Sequence, residues 1–452
     1  MVSQIDEICA EIIKRIEGLE VRKRSRDPKA QMSFEHAVRR IVIDLWKSNY
    51  CIPQRECSVN KRSGYYSENP RYRDPLLTYR QTKAAFDGLL VMGLIEVTEE
   101  GYFDRETLQG SLTRIVANNE LLKRLSIIDE HPAVVLKPDI TRECVLLRDT
   151  VNGQRNKIDY EDTPKIKEYR DNLREINQCF LRHWADIEIK DTDIDKLGLT
   201  IAEHEDKLPI DLSARTLVRI FSNGSFKQGG RFYRGWWQNV PSEYRKRITI
   251  DMKRTVEYDF SQLNPHMLYY AYNKELGSED AYDRVLDGEH RNLVKAAFNA
   301  MIQASTILRN CPSGIDPAIA DMSWMELRDR IIAAHKPIED LFFRGEGNLM
   351  QFEDSCICEG VMLHFAKIDA PALPVHDSFI MHHGFGGEFE ESMRREFHKR
   401  LGGDIPTSKE MLAWKPSVDS PPVSPDLDEV LAAEHEYSQW QARNDAWFAH
   451  KK

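Results

Sequence analysis

The sequence predicts an α+β protein. Three observations carry that reading: helix-spaced apolar positions in several separate segments, a polar–apolar alternating strand from Val256 that ends on Asp259 and leads into a helix start, and a β-hairpin pattern over 373–380 with a polar tip. A chain of 452 residues has room for two to four domains at roughly 100–200 residues each. Its composition, 41% hydrophobic and 30% charged, is that of a soluble globular protein, and no apolar run approaches the ~18 residues a membrane span needs. Residues 1–20 are acidic and amphipathic, unlike a basic-then-apolar signal peptide, so a cytoplasmic location without membrane partners is expected. The cysteines form no CxxC pair, which excludes a zinc ribbon or a thioredoxin-type motif, and Cys356-x-Cys358 falls inside an apolar helical pattern as buried thiols.

Taken in order, residues 1–20 form a short amphipathic helix. Residues 34–49 form a second, with apolar residues at 38, 41, 42, 43, 45 and 46. The segment 50–77 is polar, basic and rich in turn residues. Thr78-Tyr-Arg-Gln81 has the capping-box pattern, in which the hydroxyl and the side-chain amide each satisfy an orphan N–H. Phe86, Leu89 and Leu90 then share a helix face, and Gly93 suits a C-cap. The chain turns at Glu99-Glu100-Gly101, and 113–116 returns as a strand. Two helices followed by a small hairpin is the winged-helix order, so 1–125 is read as a winged-helix-like domain. Charge points the same way: the net −10 of the whole chain hides residues 21–90, where 15 Lys/Arg stand against 7 Asp/Glu, interleaved with Tyr65, Tyr66, Tyr72 and Tyr79. Such a basic, aromatic-rich stretch is the footprint of nucleic-acid binding.

Residues 126–212 are connecting structure. Strands are expected at AVVL (133–136) and CVLL (144–147), an amphipathic helix at 163–186 opened by Thr163-Pro164, and a polar link at 187–212. Residues 213–405 hold the chemistry. Residues 406–452 contain SPPVSP and, counted from 401, 5 Lys/Arg against 9 Asp/Glu, and are expected to be an acidic C-terminal tail.

Within 213–405, Asp259 and Asp377 are carboxylates at the ends of two strands, and Arg291, Lys295 and Asn299 share one helix face at i, i+4, i+8 spacing. Two carboxylates suit a pair of Mg²⁺ ions, with Mn²⁺ as a substitute, because these ions take hard oxygen ligands and keep waters and phosphate oxygens. Paired ions clamp the attacking and leaving oxygens of a phosphoryl displacement, and Arg291 and Lys295 would neutralise a triphosphate. No Walker motif is present, so phosphates would be held by side chains and metal. Glu353, Asp354 and Glu359 are expected to form a polar helix face.

These blocks, in order over about residues 225–400, resemble the family A nucleic-acid polymerases, which include DNA polymerase I and the single-subunit phage and mitochondrial RNA polymerases. Gly230-Arg231 with Gln238-Asn239-Val240-Pro241 resembles the segment before the first catalytic strand, where the arginine touches the minor groove. Asp259-Phe-Ser-Gln262-Leu-Asn264 resembles motif A, Arg291-x3-Lys295 the triphosphate-binding helix of motif B, Gln351 the glutamine near the templating pair, and His376-Asp377 motif C. The resemblance implies Asp259 and Asp377 as metal ligands, with Lys295 and Arg291 completing the catalytic set. It implies Arg231, Gln238, Asn264, Asn299, Gln303, Gln351 and His376 as substrate-binding. Three features depart from the pattern: Asn264 stands where DNA polymerases place a Glu against the ribose 2′-OH, Asn299 and Gln303-Ala304 replace the aromatic and Tyr-Gly of motif B, and His376-Asp377-Ser378 is closer to the RNA polymerase form.

The fold implied is a right-hand palm of antiparallel sheet with reduced helical fingers at about 270–345, the helix 163–186 as a reduced thumb, and the winged-helix-like domain in front. The function implied is metal-dependent nucleotidyl transfer onto a 3′-OH by a template-directed polymerase or primase-polymerase of a mobile element or phage. Its partners would be a template and primer, nucleoside triphosphates and a replication protein. A single-subunit RNA polymerase and a winged-helix regulator carrying an inactive polymerase-like domain are the alternatives.

Overall fold

Helix-spaced apolar residues close the front of the molecule on itself. In the computed structural model, which describes residues 4–22, 24–51, 54–104, 110–128, 131–151, 154–189, 191–204, 210–277, 279–411 and 440–451, helix α1 (Gln4–Leu19) packs on α2 (Pro28–Asn49) through Ile12, Ile16, Val38 and Leu45 among other buried residues. Asp27 caps α2 by accepting from the Ala30 N–H, and Pro28 fills its first turn. Strand β1 (Cys57–Val59), helix α3 (Tyr79–Val91) and strands β2 (Ile95–Glu99) and β3 (Thr113–Ala117) follow, the strands forming an antiparallel sheet in the order β1-β3-β2. Helix α4 (Asn119–Leu125) ends this unit, which has its own apolar core. Gly93 terminates α3 at φ 62°, with the Leu94 N–H donating to the Leu89 carbonyl. The capping box expected at its start does not form. Thr78 Oγ1 instead meets Ser33 Oγ at 3.1 Å and Gln81 Oε1 accepts from Arg26 Nε at 3.2 Å, so tertiary partners win over local ones.

The connecting region builds a second layer. It comprises α5 (Pro132–Val135), β4 (Val145–Val151), β5 (Gln154–Lys157), α6 (Pro164–Arg182), β6 (Ala185–Ile187), α7 (Asp191–Ala202), β7 (Val218–Ser222) and β8 (Ser225–Tyr233). Strands β5-β4-β7-β8 form a four-stranded sheet in which only β4–β7 is parallel. Three expectations change here. The run 133–136 is a short helix, because Pro132 suits a first turn and His131 Nδ1 caps it. The link at 187–212 contains α7, which buries Leu197 and Ile201. The helix expected over 163–186 ends at Arg182, where the chain passes into β6; α6 buries Ile166, Tyr169, Leu173, Ile176 and Phe180 in the main core and lies along α12 (Gly347–Lys367).

The remaining elements are α8 (Ser242–Arg245), β9 (Ile248–Ile250), β10 (Lys253–Phe260), α9 (Leu263–Ala271), α10 (Arg291–Gln303), α11 (Trp324–Ala334), then, after α12, β11 (Leu373–Val375), β12 (Ser378–His382), α13 (Gly386–Leu401) and β13 (Thr407–Met411). A central antiparallel sheet runs β11-β12-β10-β9-β6, with β13 added on β10. The expected acidic tail is therefore partly core structure. β13 pairs Ser408 with Asp259, and helix 440–451 buries Trp440 and Trp447, with Trp447 stacked on Trp184 at 5.2 Å. The SPPVSP segment lies outside the described residues. Among the described residues no helix is long and apolar enough to cross a membrane.

The sheet of β7 and β8 is fastened to α12 by Arg219, fully buried, which donates to Glu359 (2.7 Å), Ser355 (3.0 Å) and the Gly230 carbonyl (2.9 Å). Removing one partner of such a pair leaves an uncompensated buried charge. Glu359→Ala should therefore lower stability by about 3–5 kcal/mol. Urea unfolding of the variant against wild type measures this, and a loss below about 1 kcal/mol would show that Arg219 is solvated or paired elsewhere.

Candidate active site

Sheet register brings the two strand-end carboxylates together. In the β10–β12 ladder Asp259 stands opposite Ser378, so Asp377, one residue earlier, sits at the same end of the sheet. His376 and Asp377 form the two-residue turn between β11 and β12, with His376 at φ 57°, a left-handed conformation that is uncommon for any residue but glycine. The hairpin is locked by Ser378 Oγ, which donates to Glu257 Oε1 (2.8 Å) and contacts the Val375 carbonyl, while Arg245 holds Glu257 through two bonds of 2.8 and 2.9 Å. Burial, then the charge of Asp377, push the Asp259 carboxyl up to about 7; Lys295 opposes this from α10. Asp259 Oδ1 is buried and lacks a hydrogen-bond partner among the described residues. An orphaned carboxylate oxygen beside a second carboxylate is a donor set that fits a hard divalent cation.

A cleft of about 320 Å³ opens beside Asp377. It is lined by Arg231 from β8, Asn264 from α9, Asn299 and Gln303 from α10, Gln351 from α12, and His376. These six were all expected from sequence to meet substrate. Asn264 Nδ2 donates to Asn299 Oδ1 at 2.8 Å, so the two amides form one polar unit.

Other expected residues land differently. The Gln238 side chain is used internally: Oε1 accepts from the Gly235 N–H and Nε2 donates to the Phe232 and Pro374 carbonyls. It clips β8 to the strand that leads into His376-Asp377, and so positions the site. Arg291 opens α10, where Asp280 (2.9 Å) and Asp283 (3.5 Å) hold its guanidinium; it does not line the cleft. Lys295, one turn on, is exposed.

The three acids expected on a polar helix face each hold an arginine, Asp354 and Glu359 buried and Glu353 half-buried. Asp354 is 2% exposed and accepts from Arg231 Nε at 2.7 Å, and burial with the nearby Asp377 charge pushes its carboxyl up to about 6, against the lowering effect of Arg231. Glu359 carries Arg219, and Glu353 carries Arg400 at 2.9 Å. The missed signal was apolar residues on opposite sides of α12, Met350, Ile357 and Val361 on one and Phe352 and Leu363 on the other, which mark a helix packed on more than one face.

A larger groove of about 840 Å³ continues from the cleft, sharing Gln303, Gln351 and His376, and runs over the four-stranded sheet. Arg148, Arg155 and Arg234 line it, and none of their guanidinium groups has an ion-pair partner among the described residues. By contrast most front-domain cations are paired, as in Arg39–Asp6, Lys61–Glu100 and Arg62–Glu68.

No protein-family model and no curated protein matches this chain. Among solved structures, the POL domain of Pol1 from M. smegmatis, in complex with DNA primer-template and dNTP, aligns at a TM-score of 0.29 and 14% identity, over 48% of this chain and 50% of that chain. The match thus spans about half the length of each protein.

Because the folded-state value for Asp259, about 7, lies above the ordinary 3.8, its charging opposes folding. In the absence of divalent cation this group's contribution to stability should fall as pH rises from about 4 to about 7 and stay lost above that. Asp259→Asn should then be nearly neutral at pH 4 and stabilising by up to about 4 kcal/mol at pH 8. Thermal denaturation in chelator at the two pH values measures it, and Mg²⁺ should shrink the difference. A variant less stable than wild type at pH 8 would contradict the assignment.

Proposed function

We propose that this chain is a metal-dependent nucleotidyltransferase that extends a nucleic-acid 3′-OH under template direction, a polymerase or primase-polymerase of a mobile element or phage. The observation that supports it best is the placement of Asp259 and Asp377 at one end of adjacent strands, with Lys295 within electrostatic reach and a polar cleft alongside. In the reaction the 3′ oxygen bonds to the α-phosphorus of a nucleoside triphosphate and the bond to pyrophosphate breaks. Mg²⁺ held by Asp259 and Asp377, or Mn²⁺ in its place, would supply charge compensation and a lowered pKa for the 3′-hydroxyl.

The chain's own residues divide the remaining work. Lys295 offsets charge on the departing pyrophosphate. Arg291 reaches the triphosphate only by exchanging Asp280 for phosphate; Asp280 otherwise holds it at the helix start. Arg231, fixed by Asp354, presents its remaining donors to the cleft. The Asn264–Asn299 pair meets the sugar with a neutral amide able to donate or accept, in place of a carboxylate. Gln351 and Gln303 stand where cleft and groove join, a suitable position for the nascent base pair. Arg148, Arg155 and Arg234 carry backbone phosphates along the groove. The front domain, in its winged-helix-like reading, adds contacts by trading weak exposed ion pairs for phosphate.

Primer extension with dNTPs and NTPs in parallel tests the reading. Asp259→Asn and Asp377→Asn should each abolish incorporation while the fold is retained by circular dichroism. Full activity in either variant would refute the metal assignment, and a wild-type protein that incorporates nothing with Mg²⁺ or Mn²⁺ would favour the inactive regulator.

Sugar choice has its own test. Wild type should use both NTPs and dNTPs, Asn264→Glu should shift preference toward dNTPs, and Asn264→Gly toward NTPs. Ratios of incorporation efficiency report this; a ratio unmoved by both variants would transfer selection to Asn299 and Gln303.

Replacing Arg148, Arg155 and Arg234 by Gln should weaken duplex binding and flatten its dependence on log salt, by about 0.9 for each phosphate no longer neutralised. Fluorescence anisotropy across a salt series reads the slope, and an unchanged slope would place the strand elsewhere.

A further inference from the structure

A second constellation lies at the far end of β10. Asp251 precedes that strand and Asp259 stands near its other end, about 26 Å away along eight extended residues. Here three chain segments meet: the end of α6 with Cys179 and His183, the β9–β10 turn with Asp251, and the residues after α12 with Asp369. One donor atom each of Cys179, His183 and Asp369 lie within 4.8 Å of one another. Asp251 Oδ2 is 2.5 Å from His183 Nδ1, and its other oxygen accepts from the Trp184 N–H at 2.9 Å. This fixes the ring and directs Nε2 toward the cluster. Nε2 is buried and has no hydrogen-bond partner among the described residues, with Asp369 Oδ1 3.4 Å away.

We propose that Cys179, His183 and Asp369 form a binding site for a zinc-class divalent cation. A thiolate, an imidazole and a carboxylate make a mixed donor set of borderline softness, which suits Zn²⁺ and disfavours Mg²⁺. Asp251 supplies the outer carboxylate that metal-binding histidines ordinarily carry on their second nitrogen. Binding replaces the thiol proton of Cys179 and any proton on His183 Nε2, both released to solvent, and a water completes four-coordination. Asp369, with 57% of its side chain exposed, gives the ion a way in; its Oδ1, which faces His183 Nε2, also carries Arg182 at 2.7 Å, so the ion takes this carboxylate in exchange for or alongside Arg182. Cys179 is fully buried, so the same Cys–His–Asp arrangement cannot present a nucleophile to a substrate. The ion would pin α6, the β9–β10 turn and the end of α12 to one point.

The test uses the full-length protein, stripped with chelator and titrated with Co²⁺ and then Zn²⁺. The near-ultraviolet thiolate-to-cobalt charge-transfer band should saturate at one Co²⁺ per protein, any Co²⁺ taken by Asp259 and Asp377 adding none to it, Zn²⁺ should abolish the band, and Zn²⁺ should raise Tm. Cys179→Ser should remove the band. Asp369→Asn, a change at an exposed carboxylate that the fold can tolerate, should weaken Zn²⁺ binding at least ~10-fold. Asp377→Asn should keep both the band and the affinity, which separates this site from the proposed catalytic one. If Cys179→Ser does not fold, Asp369→Asn and Asp251→Asn decide. Absence of the band in wild type, or a band and affinity unchanged in the Asp369 and Cys179 variants, would reduce the cluster to an ion-pair network.

Discussion

One buried guanidinium holds the candidate site to the rest of the molecule. Arg219 has no solvent exposure, and taking its charge from water costs several kcal/mol unless every donor is met. Each of its three nitrogens finds an acceptor: Glu359 and Ser355 on α12, and the Gly230 carbonyl on β8, take its hydrogen bonds while Tyr169 lies 4.3 Å from it. This draws β8 so close to α12 that a Cβ on Gly230 would lie 2.8 Å from Ser355 Oγ and 2.9 Å from Phe221, and the backbone there takes φ 81°. Only glycine fits both demands. Arg231 is then delivered onto Asp354, one turn along the same helix, so two consecutive ion pairs fix the wall of the cleft.

That wall sets the electrostatics of the site. Asp377 acts on both other carboxyls: on Asp259, where Lys295 opposes it, and on Asp354, which Arg231 holds. Burial first, and the Asp377 charge after it, hold the Asp259 and Asp354 carboxyls above their ordinary range. A protein gains nothing in stability from such an arrangement. In the proposed reading, a divalent cation held by Asp259 and Asp377 relieves it.

Much of this was legible in the sequence where the signal is local. Alternation over Val256–Asp259 and the polar tip at His376-Asp377 gave strand and turn, and i, i+4 spacing gave α10, because side-chain period follows directly from backbone geometry. What stayed hidden depends on partners distant in the chain. Asp354 and Glu359 look like any polar helix residues until Arg231 and Arg219, more than a hundred positions earlier, arrive beside them. Gln238 and Arg291 have the identities that the polymerase resemblance calls for, yet neighbouring carbonyls and carboxylates occupy them. The role of 407–411 and 440–451 was masked by the acidic composition around them, since a strand needs only an open ladder beside β10 and the helix only a slot for two tryptophans.

The front domain is bound to the groove rather than tethered near it. Arg71 pairs with Asp159 (2.7 Å), Asp162 (3.0 Å) and Glu143 (3.5 Å), and its Nη2 donates to the Tyr160 carbonyl. Asp159 is exposed and adds little. Glu143, with a side chain only 8% exposed, also carries Arg170, so the buried part of the network decides. Tyr72 adds a hydrogen bond to the Ile158 carbonyl and one from the Leu147 N–H. All these partners flank or belong to β4 and β5, the hairpin that carries Arg148 and Arg155 into the groove. A rotation of the front domain must therefore drag the groove wall or break a buried network. In the proposed reading, nucleic acid held by the front domain and nucleic acid held by the groove lie on one platform, which couples grip on the duplex to the position of the cleft.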